Sequence, residues 1–212
     1  RTVAVSEGTK NFLDKIIIWK EAKKFSEPIK KIKIIDRDFS NYLDFDNNRR
    51  SSNLGYIISN KKLLEIFYNQ LLKEDRIKIF NNTEITGLDY FGDTIQTHFK
   101  KKIIKSNLNI AADGKNSFVR NLLKTPSYKK IYKKKALVFN IIHSHNHDST
   151  AYEFFFNRGP LAILPMKSKN NKNMSSIVWT ENPDYAENLI SLKNKDIISI
   201  LNKKTKNSIG EI

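Results

Sequence analysis

Apolar residues recur at helical spacing through Phe12, Leu13, Ile16, Ile17 and Ala22, which predicts a helix over 9–25 capped by Ser6 or Thr9 and stopped by Pro28. Residues 29–36 then alternate in the manner of a strand, and the polar stretch 46–53 reads as a loop. A second helix is predicted from Asn60 as its cap, with Leu63, Leu64, Phe67, Leu71 and Leu72 on its buried face. Strand signals follow at 77–80, 83–90, 94–99 and 103–112, with Gly92-Asp93 as a hairpin turn. A short helix over 117–124 turns Phe118, Val119, Leu122 and Leu123 inward, and strands are predicted at 136–142, 151–156, 161–164 and 175–179. Asn182-Pro183 opens a further helix, and Ile197, Ile198 and Leu201 mark another. The mixture is α+β, with strands meandering between a few helices.

Composition narrows this picture. The chain has 212 residues, of which 39% are hydrophobic, enough for one large domain or parts of two. No apolar run approaches the roughly 20 residues of a membrane-spanning helix. Cysteine is absent, so disulfides and thiolate metal sites are excluded within these residues, and a cytoplasmic setting is expected. The first residues have neither an initiator Met nor the layout of a signal peptide, so the chain is expected to lack its true N-terminus. The net charge of +16 raises two readings, contact with nucleic acid or with an anionic membrane surface. The basic residues are spread along the chain and no nucleic-acid recognition motif accompanies them, so no nucleic-acid partner is expected.

The stretch Asn109 to Arg120 carries the chemistry. A strand of small residues runs into Asp113-Gly114, and a helix opens about three residues later. Such a turn suits a phosphate-bearing ligand, because glycine permits close backbone approach and a helix start offers N–H groups to an anion. Asp113 would accept hydrogen bonds from a ligand hydroxyl or from neighbouring N–H groups. The other reading is a plain turn, since Asp-Gly is a common turn dipeptide.

Ala112-Asp113-Gly114 with Ser117 and Arg120 resembles the Asp-Gly motif of the class A flavoprotein monooxygenases, the p-hydroxybenzoate hydroxylase-like superfamily. Three further segments agree in order: 1–6 with the helix to Trp19, Leu54 to Asn60, and Ala151 to Phe155 followed by Gly159 to Met166. The last resembles the ubiquinone-biosynthesis hydroxylase branch. The family's opening Gly-x-Gly-x-x-Gly and its later Gly-Asp motif are absent, so the resemblance implies a middle portion truncated at both ends. Ser59 stands where the family has Glu, and Phe154 where Arg is common.

The resemblance implies an α/β FAD-binding domain interleaved with a mixed or antiparallel-sheet substrate domain. Residues 1–28 and 76–125 would form part of the former, and 29–75 and 126–212 the latter. Arg1, Asp113, Gly114 and Arg120 would serve FAD, with Arg120 ordering the turn through backbone carbonyls or an acidic neighbour. Leu161, Ile163 and Pro165 would offer an apolar wall to the substrate, or else form ordinary sheet core. The implied activity is NAD(P)H- and O₂-dependent hydroxylation of a prenylated phenol or quinone precursor, with peripheral contact to a membrane or biosynthetic complex. No catalytic acid or base is named, because the flavin carries the chemistry. The alternatives are a related hydroxylase of a soluble aromatic and a non-enzymatic basic nucleic-acid-binding module.

Two other constellations stand out in the sequence. His143, His145 and His147 alternate and would share a face on a strand, but Ser144, Asn146, Asp148 and Ser149 around them read as a loop, so no metal is expected. The run from Lys124 to Lys135 holds six lysines with Tyr128 and Tyr132 between them, which reads as a solvated face or a patch for lipid, partner or nucleic acid.

Overall fold

The computed structural model describes residues 1–36, 42–46, 52–100 and 102–212. The chain forms two compact units, Arg1–Glu74 with Tyr132–Ile212, and Asp75–Ile131. The predicted loop at 46–53 lies largely outside the described residues.

The larger unit is built on two sheets. Strands β1 (Thr2–Val5), β2 (Ser26–Ile29) and β5 (Gly55–Ser59) form the small one, antiparallel with β5 in the centre. Helices α1 (Glu7–Lys15), α2 (Trp19–Ala22) and α3 (Asn60–Leu71) accompany it, and Val5, Leu13, Ile18, Trp19, Tyr56 and Ile58 form one buried cluster. The large sheet uses β3 (Lys31–Asp36), β4 (Tyr42–Asp46), β9 (Lys135–His143), β10 (Thr150–Phe156), β11 (Gly159–Lys169) and β12 (Lys172–Glu181). Its order is β4-β3-β10-β11-β12-β9, with β3 and β10 parallel and every other pairing antiparallel. Because side chains alternate across a strand, the sheet has two distinct faces. Leu161 and Ile163 share the face of Phe154, Ile177 and Trp179, which packs with Leu189 of α5 (Pro183–Ser191) and Leu201 of α6 (Asn194–Thr205). On the other face Ala151 clusters with Ile29 and Ile57 of the small sheet, with Leu164 and Met166 against them.

The smaller unit holds the meander β6 (Ile85–Phe91), β7 (Thr94–Phe99) and β8 (Lys102–Ser106), followed by the short helix α4 (Phe118–Leu122). Gly92 at φ 56° closes the predicted hairpin. The two units together give the α+β architecture that the resemblance implies.

Several elements depart from the sequence reading. The helix predicted over 9–25 breaks where Ile17 takes φ 62°, so that Ile18 can donate to the Leu13 carbonyl (2.9 Å) and bury with Trp19. Burial of two large apolar side chains here outweighs the cost of a β-branched residue in a left-handed conformation. Pro28 lies inside β2 instead of ending a helix. Ser59, not Asn60, is the N-cap of α3, and Leu64, Leu71 and Leu72 are exposed while Leu63, Ile66 and Phe67 pack inward. Residues 77–80 form no strand, and β8 stops at Ser106 instead of running to 112. In α4 only Val119 is buried.

Candidate functional site

The sequence between β8 and α4 lacks a strand ladder, so its polar groups must be satisfied locally. Asn109 Nδ2 donates to Thr97 Oγ1 (2.9 Å), tying the approach to β7. The chain then turns at Gly114, whose φ of 84° favours glycine, and Ser117 N donates back to the Gly114 carbonyl (3.1 Å). Ser117 caps α4 by accepting from Arg120 N (3.0 Å), and Asp113 Oδ2 accepts from Val119 N (3.1 Å). Arg120 Nη2 donates to the Lys115 carbonyl (2.8 Å), closing the turn from outside.

Asp113 is thereby poised as an anion. The Ser117 hydroxyl, followed by the Val119 N–H, holds its carboxyl below the usual carboxylate range. A depressed folded-state value stabilises the turn above the ordinary carboxylate range, and that contribution is lost as pH falls through it. The N–H groups of Val119 and Arg120 are taken by Asp113 and Ser117. The expectation that this helix start offers its N–H groups to an anion is therefore corrected at those two positions: a one-turn helix is capped by its own side chains. What the turn leaves open is the backbone at Gly114, where a Cβ would meet nothing within 4 Å.

Asp113, Gly114 and Arg120 are thus brought into one hydrogen-bonded turn of the smaller unit. Arg1 belongs to the larger unit and is exposed at the start of β1, where its carbonyl accepts from Asn60 N (3.1 Å). Leu161, Ile163 and Pro165 lie on one face of β11 and are all fully buried, Leu161 and Ile163 within the core cluster of that face. The Lys124–Lys135 run is partly anchored: Lys134 Nζ reaches Asn182 Oδ1 (2.6 Å), and Lys135 pairs with Glu187. Tyr128 stands 91% exposed.

The histidines act as structural hydrogen-bonding groups. His143 Nε2 meets Ser175 Oγ (2.9 Å) and its Nδ1 meets the His145 carbonyl (2.8 Å). His147 Nδ1 accepts from Ser149 N (3.1 Å), while its Nε2 meets the Met166 carbonyl (2.9 Å). Ser149 Oγ in turn donates to Glu27 Oε1 (2.9 Å), joining the loop to the small sheet. Burial lowers the His143 pKa. The unfolded chain therefore binds the proton more readily, and stability should fall as pH drops below the ordinary imidazole value of about 6.5. Urea midpoints compared at about pH 7.5 and about pH 5.5 should show this, and His143→Asn should flatten the difference. An equal slope in both proteins would remove His143 as the cause.

Two groups escaped the sequence reading. Glu153 on β10, on the face of the large sheet that looks toward the small one, is raised in pKa by burial alone. Glu181 is fully buried beside Trp179, whose Nε1 donates to its Oε1 (3.0 Å), and Lys204 Nζ approaches the same oxygen (3.7 Å) while lying 4.2 Å from the Phe156 ring centre. The i, i+2 spacing of Trp179 and Glu181 was legible as a shared face, but the approach of Lys204 from α6 was not.

No model of a protein family matches the chain. The fold, however, is that of the FAD-dependent monooxygenases. Over 99% of its length the chain superposes on 59% of PqsL, a probable FAD-dependent monooxygenase from Pseudomonas aeruginosa, at TM-score 0.82 and 12% identity. It also superposes over 99% of its length on 53% of the p-nitrophenol 4-monooxygenase PnpA of Pseudomonas putida, at TM-score 0.71 and 13% identity. In sequence its curated relatives include ubiquinone hydroxylases. The chain is 26% identical over 211 residues to ubiquinone hydroxylase UbiL of Rhodospirillum rubrum, covering 99% of this chain and 48% of that protein. It is 23% identical over 228 residues to the mitochondrial ubiquinone biosynthesis monooxygenase COQ6 of Dictyostelium discoideum, covering 93% and 45%. The chain spans about half the length of these curated relatives.

Proposed function

We propose that this chain is part of an FAD-dependent, NAD(P)H- and O₂-using monooxygenase that hydroxylates a prenylated phenol or quinone precursor in ubiquinone biosynthesis. The observation that carries the reading is the alignment with a ubiquinone hydroxylase over 211 residues. The Asp113–Arg120 turn supports it, because Gly114 leaves open the space that a side chain would fill and the surrounding hydrogen bonds fix its shape before a ligand arrives. Asp113, Gly114 and Arg120, with Arg1, would hold the cofactor. When bound, FAD supplies the redox chemistry that activates oxygen. The residues of the chain hold and orient: Asp113 keeps the turn closed as an anion, and Arg120 fixes the Lys115 carbonyl. In this reading 1–28 and 76–125 join the FAD-binding part, and 29–75 and 126–212 the substrate part. A prenyl tail would bring the protein to a membrane surface, which the net charge of +16 favours. Among the described residues no helix is long and apolar enough to cross a membrane.

The test uses the polypeptide that carries these residues in the cell, loaded with FAD. NADPH oxidation should accelerate with prenylated phenols, and mass spectrometry should find one added oxygen in the product. Acceleration only with unprenylated phenols would replace the substrate class with a soluble aromatic. No acceleration with either, together with salt-sensitive RNA binding, would favour the basic binding module.

A substitution at the turn separates fold from ligand. Gly114→Ala should cost only about 1–2 kcal/mol in stability, the strain of a left-handed alanine with nothing in its way. If the turn lies against FAD, the same change should weaken FAD affinity by more than this strain accounts for, read by flavin fluorescence during titration. Equal losses in stability and affinity would leave the turn a plain one.

A further inference from the structure

Strand alternation divides β11 into two sets of side chains. Leu161 and Ile163 are taken up by the core on the helix side, so a ligand on this sheet would meet the residues between them, which face the small sheet. The register draws one row across that face. Ile34 of β3, Glu153 of β10, Ala162 of β11 and Val178 of β12 are cross-strand partners in turn. Such partners stand about 5 Å apart. Three members of the row are apolar and one is a carboxylic acid.

Burial along β10 places that acid at a margin. Two residues before it, Ala151 is 4% exposed and packs with Ile29 and Ile57 of the small sheet. Two residues after it, Phe155 is 46% exposed on the same face. Glu153 is partly buried between them. Among the described residues no hydrogen bond and no neighbouring charge acts on its carboxyl. Glu181, by contrast, has Trp179 and Lys204 beside it. An acid held at an apolar wall without a donor is desolvated with no compensating bond, and a ligand that brings a donor offsets that loss.

The neighbours narrow the chemistry of the ligand. Ala162 beside the carboxyl is small, and the Phe155 ring stands two residues along, so the wall suits a flat ring. A hydroxyl on that ring supplies the donor. An ammonium would also pair with a carboxylate, but a chain of net charge +16 disfavours a cationic ligand.

We propose that Glu153 recognises the ring hydroxyl of a phenolic ligand, accepting its hydrogen bond while Ala162, Val178 and Phe155 hold the ring. That the phenol is a substrate rests on the hydroxylase reading; the place of the acceptor rests on the sheet register. Glu153 thereby selects a ring with a free hydroxyl over one whose oxygen is capped.

Isothermal titration tests this on the FAD-loaded polypeptide that carries these residues in the cell, without NADPH, by comparing a prenylated phenol with its methyl ether. The parent should bind the phenol about 10- to 100-fold more tightly, as expected for a hydrogen bond to a charged acceptor. Glu153→Leu should bring the two affinities together by weakening the phenol and sparing the ether. Glu153→Gln, which keeps size and shape, should retain only part of the preference, since a neutral acceptor bonds more weakly. A parent without preference, or a preference that survives in both variants, would overturn the proposal. An equal loss for phenol and ether would also overturn it, by making Glu153 a structural residue. The two readings fail separately. If the phenol accelerates NADPH oxidation while the Glu153 variants keep the full preference, only the assignment of Glu153 falls. If the phenol binds with the expected preference and never accelerates NADPH oxidation, only the hydroxylase reading falls.

Discussion

Replacing Trp179 with alanine should unfold the larger unit. Trp179 of β12 is fully buried on the sheet face that packs with Leu189 and Leu201 of the helices, opposite Leu161 of β11 in the ladder. Removing a buried indole costs about 3–5 kcal/mol in lost transfer and cavity formation. The change also strips Glu181 Oε1 of its N–H donor, and Oε2 of the same carboxylate has no hydrogen-bond partner among the described residues. A buried acceptor left without its donor costs about 1–3 kcal/mol more. The combined loss of about 4–8 kcal/mol is a large share of a domain stability of about 5–15 kcal/mol and exceeds it at the lower end. Circular dichroism in urea should show Trp179→Ala unfolded or close to it in buffer. Trp179→Phe, which keeps most of the packing and loses only the donor, should keep the fold with a lower midpoint. A Trp179→Ala midpoint within about 1 kcal/mol of the parent would contradict this account of the core.

Gly159→Ala should be nearly as damaging, for a backbone reason. Gly159 opens β11 after the tight connection from β10, paired with Phe156, and takes φ 148°. A Cβ there would sit 2.6 Å from the Thr180 carbonyl oxygen and 3.0 Å from its carbon. Main-chain atoms of a paired strand cannot rotate away, so β11 would have to separate from β12 at this end. Backbone strain of about 1–3 kcal/mol adds to the lost ladder contacts. The expected outcome is a loss of several kcal/mol, well above that for Gly114→Ala, where the added atom meets nothing. Equal midpoints for the two variants would show that β11 and β12 yield more easily than the geometry implies.

Much of the larger unit could be read directly from the residues, because β9, β10 and β12 sit where apolar or aromatic runs were bounded by turns, and Asn182-Pro183 marked the start of α5. The failures have local causes. Gly55–Ser59 was read only through its resemblance, since a central strand covered on both faces shows no alternation: Gly55 through Ile58 are all buried. The edge strand β4 alternates Leu43 and Phe45 with Asp44 and Asp46, but at five residues the pattern is too short to stand out from the polar stretch after it. Residues 77–80 alternate well but find no ladder partner, and Phe80 instead stacks on Phe99 with ring centres 6.4 Å apart. At the candidate site Asp113-Gly114 was visible as a dipeptide with small residues before it. The bonds from Val119 N to Asp113 and from Arg120 to the Lys115 carbonyl depend on how tightly the turn closes, which spacing alone does not determine. The clamp of Trp179, Glu181 and Lys204 joins β12 to a helix that follows it in the chain, and a contact of that kind leaves no periodic trace.

The central claim is that the turn at 113–120 lies against a bound flavin nucleotide. The most direct measurement is the visible spectrum of the polypeptide carrying these residues, purified as the cell makes it, before and after incubation with FAD and gel filtration. The account predicts a yellow protein whose flavin survives filtration, and an Asp113→Ala variant that loses the colour while its circular dichroism is unchanged. A colourless polypeptide that takes up no added FAD, or an Asp113→Ala variant that keeps its flavin undiminished, would contradict it.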